Sequence, residues 1–246
     1  VKRSELIELL HEDDDIVVVN KPAQLAAIPG RAETDSVLER LSRQLSLPIS
    51  GKTDPRLRVV HRLDKDTTGV MLFAKHFDAQ RMLSHQFQNN TIAKEYLALV
   101  GGRVEQDSGT IDAPIAPHPT MRDRMAVTKR GRPAQSDWKV EQRLRQFTVV
   151  RVFPRTGKTH QIRVHFLHIG HPLAIDPLYG SGDPILLSAH KRHYRPTKGE
   201  DERPLIARLT LHAHRLRFTH PNGTSMTIEA PIPKDLRATI AQLGKV

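Results

Sequence analysis

The chain has 246 residues, with 38 Lys and Arg against 27 Asp and Glu, a formal net charge of +11, 4% aromatic residues and no cysteine. The missing thiol excludes disulfides, thiolate metal sites, iron–sulfur clusters and cysteine nucleophiles, and no apolar run approaches the ~20 residues of a membrane span. So large a surplus of cations fits a polyanionic partner, because each neutralised phosphate releases counterions, although a merely soluble basic protein has the same balance.

The length suits one domain spanning residues 1–246. The N-terminal stretch carries Asp13-Asp14-Asp15 rather than the sections of a signal peptide, which predicts a soluble, cytoplasmic protein. Scarce aromatic residues argue against a single-strand binder built on rows of stacking rings. The β-branched run Ile16–Val19, closed by Asn20-Lys21-Pro22, predicts a buried strand leaving into a loop. Ser36 with Glu39 three residues on is a capping box, and Val37, Leu38, Leu41 and Leu45 repeat at helical spacing. Apolar runs then flank His61–Gly69, reading H-R-L-D-K-D-T-T-G, which predicts a loop held between buried segments.

Ala79, Met82, Leu83 and Phe87 mark one face of a helix ending near Asn89-Asn90. Lys94–Val100 predicts a strand, a hairpin-like section follows with Gly109 and a run of Pro114, Pro117 and Pro119, and residues 122–132 form either a solvated basic loop or a phosphate contact. Asp137–Val140 and Phe147–Phe153 predict paired strands. In Arg155–Pro172, Ile162, Phe166 and Ile169 fit a helix with Thr159 as N-cap and Gly170 just past the end, and a strand is the competing reading. Residues 180–204 predict a long basic loop. Leu209–Phe218 and Ser225–Glu229 predict a hairpin about His220–Gly223, and Pro233–Leu243 a terminal helix.

Within the His61–Gly69 loop, Arg62 and Asp64 stand two apart, so an extended backbone would put a cation and a carboxylate on one face. That pattern fits a catalytic loop and also a solvated ion pair. The histidine pool His160, His165, His168, His171, His212 and His214 lacks the spacing of a metal site, so no metal is expected. The chain has no G-x-x-x-x-G-K-[ST], G-x-G-x-x-G or G-x-S-x-G motif, which leaves nucleotide cofactors and hydrolase elbows without a foothold.

H-R-L-D-K-D-T-T-G closely resembles the H-R-L-D-x-x-T-S-G signature of the large-subunit type A family of RNA pseudouridine synthases. The likeness extends through N-K-P at Asn20–Pro22, K-E-Y-L-A at Lys94–Ala98, R-T-G-K-T-H-Q-I-R-V-H at Arg155–His165, G-H-P at Gly170–Pro172 and L-H-A at Leu211–Ala213. It implies an α+β fold, with a predominantly antiparallel mixed β-sheet, flanking helices and an RNA cleft, acting without a cofactor as a monomer on ribosomal or transfer RNA. By position it implies that Asp64 is the essential aspartate, Tyr96 the active-site tyrosine, Arg163 the cation paired with the aspartate, and Arg62 the wedge that fills the gap left by an extruded base. Thr68 replaces the usual Ser, and Gln24 stands where Gly is common, so the backbone there is expected to differ. The basic RNA-binding module that many relatives carry in front is not evident.

The chemistry fits these residues. Turning uridine into pseudouridine exchanges no electrons or phosphoryl groups overall, and it calls for an ionised carboxylate beside the anomeric carbon. Tyr96 could stack on the base and act as general base. A stacked uridine must be flipped out first, and Lys21, Lys65, Arg155 and Lys158 are candidates for holding the phosphates.

Overall fold

The strands and helices are described in a computed structural model covering residues 6–30, 34–191, 194 and 201–245. In chain order they are β1 (Glu8–Glu12), β2 (Ile16–Lys21), α1 (Val37–Leu45), β3 (Arg58–Val59), β4 (Thr68–Ala74), α2 (Phe77–Gln88), β5 (Ala93–Gly101), β6 (Ser108–Asp112), β7 (Ile115–Pro117), β8 (Met125–Val127), β9 (Gln135–Arg143), β10 (Phe147–Pro154), α3 (Gln161–His168), β11 (Leu211–Thr219), β12 (Ser225–Glu229) and α4 (Lys234–Leu243). Two compact units result, one running to Glu95 with His212–Pro231 inserted from later in the chain, the other comprising Tyr96–Leu211 and the residues from Ile232.

In the first unit β2 lies antiparallel to β1 on one side and β4 on the other, and β12 lies antiparallel to β11. The β4–β11 pairing is parallel, with Thr68 opposite His212 and Gly69 opposite Ala213. Both faces of the central strands are covered, so β4 is buried at all seven positions and Ile16–Val19 of β2 form a continuous buried apolar run. One face packs Ile16, Val18, Val70 and Leu72 against Ala79 and Leu83 of α2 and Leu216 of β11. The capping box acts through its Ser half, since Ser36 Oγ accepts the Glu39 N–H at 3.1 Å.

In the second unit β10 pairs antiparallel with β5 and β9, and β6 extends β9. The hairpin-like section from Gly109 to Pro119 holds β6, whose partner β9 lies further along, and β7, which forms a local hairpin with β8. A Cβ on Gly109 would sit 2.8 Å from the Trp138 ring. Part of the basic stretch 122–132 is β8, paired with β7. α4 packs Leu236 and Leu243 on Leu97, Leu99 and Val149. Within each unit the class is the α+β one expected, with predominantly antiparallel pairing.

The 155–172 stretch is helical, and Gly170 follows it at φ +83. The N-cap is His160, at φ 55, instead of Thr159. Gln161 closes the preceding loop, because its side-chain oxygen accepts from Thr156 Oγ1 at 2.8 Å and the Lys158 N–H at 3.0 Å. Part of the 180–204 stretch lies outside the described residues.

Candidate active site

His61–Gly69 enters the first unit between β3 and β4, with Leu63 and Thr67–Gly69 buried and Arg62 and Lys65 exposed. His61 Nε2 accepts the Leu72 N–H at 2.9 Å, and its ring stacks on Phe87 at 4.3 Å. Burial, with a smaller contribution from the Lys94 charge, pushes its pKa down to about 3. His61 is therefore neutral, with its proton on Nδ1, and serves as a backbone acceptor that anchors the loop. Leu63 is buried, whereas Arg62 is exposed and Asp64 half-buried. Arg62 forms no ion pair among the described residues, so it does not hold Asp64.

Downstream the loop tightens. The Asp64 carbonyl accepts the Thr67 N–H at 3.1 Å, closing a turn over Lys65 and Asp66. Thr68 Oγ1 donates to His212 Nδ1 at 2.9 Å, and His212 Nε2 lies 3.3 Å from the Ala230 carbonyl. The Thr-for-Ser exchange thus retains the one atom that matters there. A Cβ on Gly69, at φ +116, would lie 2.0 Å from the Ala213 carbonyl oxygen, so only glycine permits β4 to approach β11. The separate T-T-G and L-H-A motifs are two sides of this contact.

Lys21 is fully buried opposite Gly69. Its Nζ donates to the carbonyls of Pro22 at 2.8 Å and Lys65 at 2.6 Å. Burial lowers its pKa to about 7 against the opposing charges of Asp66 and Asp64. The expected phosphate contact is therefore corrected: the ammonium holds the Asp64 loop from beneath, out of reach of an RNA backbone. Lys21, Asp64 and Lys65 are brought together in this unit, and only Lys65 among the two lysines is exposed.

The other expected residues lie in the second unit. Tyr96 is half-buried on β5, opposite Val152, against the cluster containing Trp138 and Phe166. Arg163 is buried on α3 and forms a two-pronged pair with Asp176, Nε to Oδ2 and Nη2 to Oδ1, both 2.8 Å. Its guanidinium also lies 5.0 Å from the centroid of the Tyr179 ring. Arg155 is exposed and pairs with Asp137 at 2.6 Å, and Lys158 is half-buried.

Asp176 and Tyr179 were not singled out from sequence. The signal available was L-A-I-D-P-L-Y-G, an acid set in an apolar run and followed by Pro. The histidines resolve into structural roles where they are buried. His165 has both ring nitrogens engaged, by Ser136 Oγ and the Ala113 carbonyl, each at 3.0 Å. Among the described residues Asp13, Asp15 and His220 have metal-like proximity. However, His220 Nδ1 accepts the Asn222 N–H at 3.1 Å, so its proton is on Nε2, which faces Asp13 Oδ2 at 3.1 Å. In that tautomer the nitrogen facing the acids has no lone pair for a metal.

Residues 15–168 match the family model described as RNA pseudouridylate synthase. The chain is 41% identical over 237 residues to ribosomal large subunit pseudouridine synthase D of Nitrosomonas europaea, covering 95% of this chain and 64% of that protein. The protein of the same name from Haemophilus ducreyi is 41% identical over 243 residues, covering 96% and 70%. The chain thus spans about two thirds of the length of these relatives. The solved structure of human RNA pseudouridylate synthase domain containing 1 aligns with a TM-score of 0.69 at 26% identity, over 95% of this chain and 86% of that one.

Proposed function

Because the chain belongs to the RNA pseudouridylate synthase family, we propose that it isomerises specific uridines of structured RNA to pseudouridine, within the large-subunit type A branch that its motifs resemble. The relatives are named for the large ribosomal subunit, which favours ribosomal over transfer RNA as substrate and the cytoplasm as the place of action. The observation that carries the reading is the locking of the Asp64 loop: Lys21 holds the Lys65 carbonyl from below, the Thr67 N–H closes the turn, and Gly69 seats the exit strand against Ala213. A catalytic carboxylate needs that fixity, since misplacement by about 1 Å can cost roughly a hundredfold in rate.

In the reaction the bond from ribose C1′ to N1 breaks, the base turns, and a bond from C1′ to C5 forms. C5 loses its proton and N1 gains one, so no oxidant or co-reactant is required. Asp64 is assigned to the ribose–base centre, Arg163 to stabilising the anionic aspartate, and Tyr96 to stacking on the base and taking the C5 proton. Arg62, exposed on the same loop, is assigned to the gap left by the flipped nucleotide. Lys65, Lys158 and Arg155, the last after release from Asp137, are assigned to backbone phosphates.

The test uses large-subunit ribosomal RNA labelled with tritium at uridine C5. Wild-type protein should release label, and Asp64→Asn should release it at least about a thousandfold more slowly while binding RNA normally. Release by Asp64→Asn at the wild-type rate would sink the assignment.

A further inference from the structure

Five cations, Arg122, Arg124, Lys129, Arg130 and Arg132, crowd the β7–β8 hairpin and the turn after it, with Asp123 as the single acid between them. None forms an ion pair among the described residues. Elsewhere in the same unit Arg143, Arg151, Arg155 and Arg208 each face a carboxylate. The hairpin is also closed firmly at its base, where the Arg132 and Ile115 backbones exchange hydrogen bonds at 2.9 Å and a Cβ on Gly131 would lie 2.6 Å from Ile115 N. A stiff element with uncompensated positive charge suits a fixed phosphodiester backbone better than a mobile loop would.

Tyr179 fastens this element to α3. Its ring packs with Ile115, Met125 and Val127 of the hairpin and Val164 of the helix. Its phenol oxygen accepts the Met125 N–H at 2.7 Å and lies 2.8 Å from His160 Nδ1. Both contacts are satisfied when the O–H donates to His160 and a lone pair takes the Met125 N–H. The same ring lies against the Arg163 guanidinium, whose edge is held by Asp176. Asp176 in turn accepts the backbone N–H of Tyr179 at 3.2 Å. One side chain therefore touches the basic hairpin at its hydroxyl and Arg163 at its face.

We propose that Tyr179 is a positioning residue that couples RNA-backbone contact at the β7–β8 hairpin to the setting of Arg163. This rests on the reading of the chain as an RNA isomerase that uses Arg163. Tyr179→Phe is the sharpest probe, because it leaves the ring in the core and against Arg163 and removes the hydroxyl that ties to Met125 and His160.

The experiment compares wild type, Tyr179→Phe, a hairpin variant (Arg122→Gln, Arg130→Gln, Arg132→Gln) and their combination. Binding to transcribed large-subunit ribosomal RNA is measured across salt, and tritium release is measured at saturating RNA. The hairpin variant should flatten the salt dependence of binding by roughly two in log–log slope. Tyr179→Phe should flatten it comparably, and the combination no further. Both should slow release about fivefold at saturation, because Arg163 loses its setting. A purely structural tyrosine would lower the melting temperature and leave the salt slope unchanged. A wild-type slope in Tyr179→Phe, or effects that multiply in the combination, would overturn the coupling. Should Tyr179→Phe fail to fold, His160→Asn, which tolerates the left-handed backbone, must flatten the slope in the same direction, and an unchanged slope there overturns the proposal equally. Wild-type protein that binds RNA and releases no label refutes the isomerase reading and the Arg163 half of the proposal with it, whereas a wild-type slope in Tyr179→Phe refutes the coupling alone.

Discussion

Lys21 in the first unit and Arg163 in the second are both buried cations, and they are held by opposite means. Lys21 is gripped by two carbonyl oxygens, and its burial outweighs the nearby acids so that it titrates at about 7. Arg163 is held along one edge by the Asp176 carboxylate and on its face by the Tyr179 ring. A lysine in such a place has an adjustable charge, whereas a guanidinium keeps its charge at any physiological pH. The first unit thus uses a cation to fix a backbone, and the second fixes a cation that must stay charged. Variants that exchange these two logics test the difference.

The largest effect is expected at Asp176. Asp176→Asn leaves a buried guanidinium facing a neutral amide, at a cost of about 3–5 kcal/mol. Denaturation in urea at neutral pH would measure it. A loss below about 1 kcal/mol would mean that Arg163 is compensated from elsewhere and that the Asp176 pair is not its principal support. If the loss is large, Arg163→Met combined with Asp176→Leu should recover much of the stability and none of the activity. That outcome would separate the charge's structural cost from its use.

Lys21→Met should be milder, costing about 0.5–1.5 kcal/mol for each hydrogen bond lost to the Pro22 and Lys65 carbonyls. Here pH sharpens the comparison. The folded-state pKa of Lys21 is lowered from 10.5 to about 7, so between those values the unfolded chain binds the proton and the folded one does not. Stability of the wild type relative to Lys21→Met should therefore increase as pH rises from about 7 towards 10, on the order of 1 kcal/mol per pH unit. A difference that stays flat across that range would show that Lys21 remains charged in the fold and resembles Arg163 after all. For the Asp176 variant the corresponding profile should show no dependence arising from arginine.

What could be read in advance follows from where the physics is local. Ile16–Val19, the Ser36–Glu39 cap and the 209–229 hairpin carry their signals within a few residues, and each became the expected element. α3 was ambiguous between helix and strand because Gln161 through Phe166 are all buried, which erases the polar face that would declare a helix. The histidine that starts it adopts a left-handed backbone, a conformation that no capping rule for Thr159 anticipates. At the site, the lysine of N-K-P was legible as a cation but not as a buried one. Which way it points depends on a ladder with Gly69 and a carbonyl at Lys65, 44 residues away. Asp176 was invisible for a similar reason: its partner lies 13 residues upstream on another element, and its own neighbours are apolar. Motifs therefore marked the residues, and only the assembled packing separated the exposed side chains from those that hold the loop.

The smallest effect tests the turn that follows Lys21. Gln24 is exposed and holds φ 60, a left-handed conformation that favours glycine. That geometry costs a non-glycine residue about 1–2 kcal/mol, partly offset in Gln24→Gly by the greater freedom of a glycine in the unfolded chain. Gln24→Gly should raise stability by roughly 0.5–1 kcal/mol, whereas Gln24→Ala, which retains the Cβ, should gain nothing. If both variants lose stability equally, the glutamine side chain contributes a contact that outweighs its strain. If the expected pair of results appears, the clamp around Lys21 and Lys65 is strong enough to impose an unfavourable backbone on the residues leading out of it.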